Sequence, residues 1–175
     1  MFVNIETERL HLKCIEQSDR EFIFEEFQND FINKYLYDEE PMSDIKQADN
    51  LIEFYNLIEP RNQNRWVLVN KVENTKMGTC GFHLWDRNKN IVEIGFELMP
   101  QYNGKGYMTE AVEALIEFAQ TKMNANKIFA IVSIDNSQCK RLLEKFGFFI
   151  IGKEECMFKE SIYLHDIYEL ELLKA

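Results

Sequence analysis

Apolar positions along this chain change their period several times, and each change marks an element. Leu10–Cys14 alternates and predicts a first strand. Ser18-x-x-Glu21 has the form of a capping box ahead of Phe22, Ile23, Phe24 and Phe27, which predicts a helix. Phe31–Met42 is aromatic and irregular. Ser43 or Asp44 can cap a second helix whose apolar face is Ala48, Leu51, Ile52 and Tyr55. Glu59–Asn64, with Pro60, is a break. Three strands follow at Arg65–Asn70, Met77–Trp85 and Ile91–Met99, separated by polar turns.

The second half crosses over. A helix over about Thr109–Met123 carries Ala111, Leu115, Phe118 and Ala119 on one side. Lys127–Ser133 is apolar at every position from Ile128 to Val132, as a strand buried on both faces beside a parallel neighbour would be. Asn136 can cap a short helix bearing Leu142, Leu143 and Phe146, closed by Gly147. Phe148–Phe158 and Ile162–Leu172 read as a final strand pair. The order predicts one α/β (α+β) domain over 1–175, with a mixed central sheet flanked by helices and one right-handed crossover.

Composition narrows the picture. A chain of 175 residues can bury a sizeable core, and its 14 phenylalanines point to aromatic packing. The net charge of −10 argues against nucleic acid or an anionic membrane as partner, and suits a cationic or amine-bearing substrate; a merely solvated acidic surface is the plain alternative. Cys14, Cys80, Cys139 and Cys156 form no C-x-x-C and the three histidines are scattered, so no metal site is expected. Met1–Glu8 has no apolar core, and no run of about 18 apolar residues exists, so neither secretion nor a membrane span is expected. Reduced thiols in the cytoplasm follow.

The most informative stretch is Gln101-Tyr102-Asn103-Gly104-Lys105-Gly106, set between the strand ending at Pro100 and the helix around Thr109. Strand, glycine turn and helix N-terminus make an anion cradle, because glycines let N–H groups converge on a phosphate. The nucleotide-hydrolase loop G-x-x-x-x-G-K-[ST] is absent. The dinucleotide pattern G-x-G-x-x-G/A fails at Thr109. Q-x-x-G-x-G remains.

In this setting the hexapeptide resembles the pyrophosphate loop of the GNAT superfamily of N-acetyltransferases. Thr7–Lys13, Arg65–Val69, Met77–Gly81, Glu93–Leu98, Thr109-Glu110-Ala111 and Asp135–Phe148 are similar, in order, to segments of its ribosomal-protein (RimJ/RimL-type) branch. The resemblance runs from Thr7 to about Leu172. It implies the GNAT acyl-CoA N-acyltransferase fold, acetyl-CoA as cofactor, and direct acetyl transfer to a primary amine in a ternary complex. The amine could be a protein N-terminus, a polyamine, an antibiotic amine or an amino acid derivative. A homodimer is implied at family level only.

The same resemblance assigns roles. Glu93 is the candidate general base, with Glu97 four residues on sharing its face and attracting a cationic substrate. The N–H groups of Phe96, Leu98 or Met99 grip pantetheine and polarise the thioester. Gly104, Gly106 and Tyr107 bind pyrophosphate, with Gln101 and Asn103 shaping the entry and Lys105 adding charge. Asn136 bonds the pantetheine amide, and Lys140 and Arg141 reach the nucleotide phosphate. Two positions depart from the family: Cys139 stands where serine is common, and Leu143 where other branches carry tyrosine. Cys139 is therefore either the proton donor to the leaving thiolate or a small packing residue. The departures also motivate a rival reading, an acyl-CoA-binding module without catalysis. A nucleotide-binding regulator using the same turn is a second. His83 reads as an ordinary sheet position.

Overall fold

The computed structural model describes residues 2–36 and 40–172. Part of the irregular Phe31–Met42 segment therefore lies outside the described residues. Eight strands form one sheet: β1 (Ile5–Glu6), β2 (Leu10–Cys14), β3 (Asn64–Asn70), β4 (Lys76–Asp86), β5 (Ile91–Leu98), β6 (Lys127–Ser133), β7 (Phe149–Phe158) and β8 (Ser161–Glu171). Their spatial order is β1-β2-β3-β4-β5-β6-β8-β7, antiparallel throughout except for β5 with β6.

Helices cover both faces. Helix α4 (Tyr107–Thr121) buries Met108, Ala111, Val112, Leu115, Phe118 and Ala119, a stripe at helical spacing. Helix α5 (Ser137–Lys145) adds Leu143 to the same core, where Trp66 is fully buried. The Trp66 ring meets Phe2, Phe82 and Phe118 edge-on at 5.4–5.9 Å. On the opposite face α1 (Arg20–Gln28) and α3 (Ile45–Tyr55) cover Val67 and Val69 with Ile23, Ala48, Ile52 and Tyr55. A short α2 (Asp30–Asn33) lies between them.

Local sequence accounts for most boundaries. Asp44 caps α3 in a capping box with Gln47. Asn136 caps α5 by accepting the Cys139 N–H at 3.1 Å. Gly147, at φ +87°, ends it. The box before α1 is made by Glu16 and Asp19 around a 3-10 turn, not by Ser18 and Glu21; the Ser18 hydroxyl donates to Glu16 instead.

β6 departs from the sequence reading. It runs parallel to β5 over only three pairs, Ile91–Glu93 with Lys127–Phe129, while β8 pairs with all seven of its residues. Beyond Glu93, β5 stays with β4 and β6 stays with β8, so the sheet opens between them. Ile131 is consequently 40% exposed: it faces that opening instead of a second packed layer.

The sheet beside the opening is drawn in tightly. A Cβ added at Gly81 would lie 2.2 Å from the Asn64 carbonyl oxygen and 3.0 Å from the Arg65 Cα. Both are backbone atoms, so β3 and β4 would have to part. Gly81→Ala is expected to cost about 2–3 kcal/mol in urea unfolding, whereas Gly152→Ala, whose nearest atom is the end of the Ile167 side chain at 3.9 Å, should cost under about 1 kcal/mol.

Candidate active site

A groove of about 1940 Å³ runs through the opening from one sheet face to the other. At the α4/α5 end it is lined by Asn103, Gly104, Gly106, Tyr107, Asn136 and Arg141. Its middle carries Glu93, Phe96, Glu97, Leu98, Val132 and Cys139. The α1/α3 end is aromatic, with Phe27, Phe31, Phe54 and Tyr55 beside Arg65 and His83.

The α4 end is built from backbone. Gly104 and Gly106 both hold positive φ, +75° and +80°, and Gly106 forms the N-cap of α4. No atom lies within 4 Å of where a Gly104 Cβ would sit, so the turn presents open space in front of the unsatisfied N–H groups of the first helical turn. Arg9, which the sequence reading passed over, ties this turn down. Its Nη1 donates to the Lys105 carbonyl at 2.9 Å, and its guanidinium stacks over the Tyr107 ring at 4.6 Å. Its Nε donates to Glu110 at 2.6 Å. Burial alone would raise the Glu110 pKa; bonds from Thr7 and Arg9 outweigh it and hold the carboxyl below its usual range. Gln138 Nε2 donates to Asn103 Oδ1 at 3.3 Å and links the start of α5 to the turn.

In the middle, strand alternation decides which backbone groups face the opening. The Met99 N–H donates to the Met77 carbonyl at 2.9 Å, so it is spent within the sheet and is not a ligand donor as expected. Alternation then turns the N–H groups of Phe96 and Leu98 away from β4, toward the side where β6 no longer pairs. Gln101 and Lys105 are exposed outside the groove lining. Lys140 does not reach for a phosphate: its Nζ donates to Asp166 at 2.5 Å. The Asn136 carbonyl oxygen serves as cap, and its Nδ2 donates to no protein group among the described residues.

At the α1/α3 end lies a polar cluster that the sequence reading missed. Glu93 and Glu97 do share a face, but the Glu97 carboxylate is committed to a buried ion pair with Arg65 and also accepts from the Thr79 hydroxyl. Arg65 further donates Nε to Thr79 Oγ1 at 3.0 Å and Nη1 to the Tyr55 oxygen at 3.3 Å. Glu26, fully buried, lies 2.9 Å from the same Thr79 hydroxyl, whose single proton serves one of the two carboxyls at a time. The signal was present: Arg65 has the parity of the inward-facing Val67 and Val69, and Glu26 stands three residues after the buried Ile23.

Electrostatics follow from burial. Desolvation, and then repulsion from Glu97, push the Glu26 carboxyl up to about 8, so it is held neutral. Desolvation would lower the Arg65 pKa, but the Glu97 charge dominates and raises it. Burial and the Arg65 charge lower the His83 imidazole to about 3. Burial and then the Glu97 charge raise the Cys139 thiol to about 12.

A glycine cradle at a helix start, opening onto a split sheet with inward backbone donors, suits a long ligand with a phosphorylated end. A family model described as Acetyltransferase (GNAT) domain matches residues 9–149. The chain belongs to the GNAT acetyltransferase family. The uncharacterized N-acetyltransferase p20 of Bacillus licheniformis is 32% identical to it over 96% of this chain and 94% of that protein. A spermidine N(1)-acetyltransferase of Vibrio cholerae is 25% identical over 92% and 88%. The structure of RimL in complex with coenzyme A superposes with a TM-score of 0.87 at 13% identity, covering 97% of this chain and 98% of that one, a likeness of fold. This GNAT chain is an acetyl-CoA-dependent N-acetyltransferase, which sets aside the non-catalytic binding module. Among its described residues no group of three or more His, Cys, Asp or Glu side chains could hold a metal, and no helix is long and apolar enough to cross a membrane.

Glu26 gives a pH test. A carboxyl whose pKa is raised on folding contributes fully below its ordinary value of 4.5, and that contribution is lost as pH rises through about 8. Wild-type stability should therefore fall relative to Glu26→Gln as pH is raised from 5 to 8.5, read from urea midpoints of the two proteins at each pH.

Proposed function

We propose that this GNAT enzyme acetylates a primary amine admitted from the α1/α3 end, with Glu93 as the general base. What supports the reading is one observation: the opening between β5 and β6 gathers Glu93, the Phe96 and Leu98 N–H groups and Cys139 in one groove whose far end is the Gly104–Gly106 turn. Bound acetyl-CoA supplies an acetyl group activated as a thioester.

The chain supplies the rest. N–H groups at Gly104, Gly106 and Tyr107 hold the pyrophosphate, with the dipole of α4 behind them. Arg141, on the groove wall, adds charge at the nucleotide end. Asn136 Nδ2 is the donor left over for an amide of the pantetheine arm. The N–H groups of Phe96 and Leu98 are fixed donors for a carbonyl oxygen that gains negative charge. Glu93 removes the proton from the amine, directly or through water, since an ammonium has no lone pair to attack with. Glu97 serves this indirectly: bound to Arg65, it fixes the floor of the acceptor end and does not meet the amine itself.

Cys139 packs and does not deliver the proton. With its pKa raised to about 12, the thiol is a weaker acid than an ordinary thiol at about 8.5, so passing its proton to a leaving thiolate runs uphill. The free cysteines support a reducing compartment, the cytoplasm. The exposed apolar run Phe149–Ile151 on edge strand β7 supports a homodimer.

Glu93→Gln is expected to lower kcat by about 10² or more while leaving acetyl-CoA binding by calorimetry unchanged. Gly104→Val should keep the fold yet lose acetyl-CoA binding, because its side chain enters the cradle; a folded Gly104→Val protein that binds normally overturns the loop assignment. Cys139→Ala should change kcat less than about tenfold at saturating acetyl-CoA, whereas a proton donor would cost about 10²-fold or more.

A further inference from the structure

The turn that faces the pyrophosphate is gripped from outside the groove. Gly106 lines both the groove and a smaller cleft of about 530 Å³, whereas Arg9 lines only the cleft. Arg9 stands just before β2, and its main chain is pinned on both sides. Its N–H donates to Glu110 Oε1 at 2.7 Å, and its carbonyl accepts the Lys71 N–H at 2.9 Å. From that base the guanidinium meets three parts of the turn at once: the Lys105 carbonyl, the Glu110 carboxylate and the Tyr107 ring. Asn70 Nδ2 donates to the Tyr107 hydroxyl oxygen at 3.2 Å and fixes the far end of that ring. Gly106 leaves the guanidinium its space, since a Cβ there would lie 3.4 Å from Arg9 Nη2.

These bonds have one possible direction. A guanidinium only donates, and a carbonyl or an ionised carboxylate only accepts. The Lys105 carbonyl and the Gly106 N–H belong to one peptide group, and in a planar trans peptide they point opposite ways. Holding the carbonyl toward Arg9 in the cleft therefore aims the Gly106 N–H away from the cleft, toward the groove. That N–H donates to no protein group among the described residues. Glycine lets the turn form, but a residue free at both signs of φ does not by itself decide which way its peptide faces.

Charge gives Arg9 a second task. Glu110 lies in the first turn of α4, where its carboxylate would repel an arriving pyrophosphate. Arg9 Nε meets Glu110 Oε2 at 2.6 Å and offsets that charge, while the Thr7 hydroxyl lies 2.5 Å from Oε1.

We propose that Arg9 is a positioning residue for the cofactor: without touching acetyl-CoA, it aims the Gly106 N–H at the pyrophosphate and cancels the Glu110 charge beside it. The inference rests on the acetyl-transfer reading above and deepens it by naming the group that sets a donor's direction. The Arg9 side chain is 42% exposed, so its ion pair contributes little to folding and its removal should leave the protein folded.

Two measurements on the whole protein test it. The first is calorimetric binding of acetyl-CoA to wild type, Arg9→Ala and Arg9→Lys, with urea midpoints as the check on folding. Arg9→Ala should raise Kd about tenfold. Arg9→Lys should raise it less, because a lysine keeps the charge but is a point donor that cannot hold Lys105 and Glu110 together in a fixed fork. A folded Arg9→Ala protein whose Kd stays within about threefold of wild type overturns the proposal.

The second follows the Gly106 amide in ¹H–¹⁵N spectra as acetyl-CoA is added to saturation. In wild type it should move downfield, as an N–H that donates to an anion does, and in Arg9→Ala it should move clearly less. Lower stability alone would not change this displacement. A Gly106 amide that stays in place while wild type binds acetyl-CoA overturns the proposal. So does one that moves equally far in Arg9→Ala, the result expected if Arg9 served only as a direct phosphate contact. A wild-type protein that binds no acetyl-CoA overturns instead the function reading beneath it. If Arg9→Ala fails to fold, the Gly106 amide of wild type and Arg9→Lys still decides.

Discussion

Everything in this molecule turns on two neighbouring strands parting company. β5 and β6 share only three residue pairs, and each then keeps faith with its other neighbour. A sheet interior does not leave backbone donors unpaired without cost, so the gap has to be filled by water or by something that hydrogen bonds. An open ladder of this kind suits an extended chain that carries amides of its own. The opening also joins the two faces of the sheet. The glycine turn at the start of α4 and the aromatic wall under α1 and α3 lie on opposite sides, and only a break in the sheet lets one groove serve both.

The acceptor side of that break is held by charges deep in the protein. One guanidinium, Arg65, lies between Glu97, which it neutralises, and Glu26, which burial keeps protonated. Removing one member of such a cluster leaves a buried charge unpaired, which is far costlier than losing a surface pair. The cluster holds the Glu97 and Tyr55 side chains through hydrogen bonds donated by Arg65, with the His83 ring packed against Tyr55. The strongly acidic overall composition therefore says little about this end of the groove, where the local charges nearly cancel.

Sequence periodicity located every long element, because amphipathic spacing and caps such as Asp44 and Asn136 act within a few residues. It placed α4 two residues late: the turn glycine Gly106 is itself the N-cap, so Tyr107 already belongs to the helix. It missed the two-residue β1, too short to show a period. It read β6 as buried on both faces, since Ile131 is apolar whether it meets a second layer or the wall of a groove. The cofactor turn was legible as a glycine pattern. The fates of Met99 and Lys140 were not, because they depend on Met77 and Asp166, partners far away in sequence. Arg65 and Glu26 stood in view at inward positions, but only the fold reveals that they meet through Thr79.

That difference has a physical origin. The α4 end of the groove recognises its ligand with main-chain N–H groups, and what the sequence must supply is glycine at positive φ and little else. Such a requirement is local and leaves a short, readable motif. The α1/α3 end works through side chains from β3, β4, β5, α1 and α3, brought together by strand register and helix packing. Changing any one of them, Tyr55 for example, would alter what the groove accepts without disturbing the turn that holds the phosphates. A fold divided in this way can keep one donor and exchange acceptors. Specificity should then be sought in the side chains of that end, whose placement is set by neighbours on other elements and not by their own place in the chain.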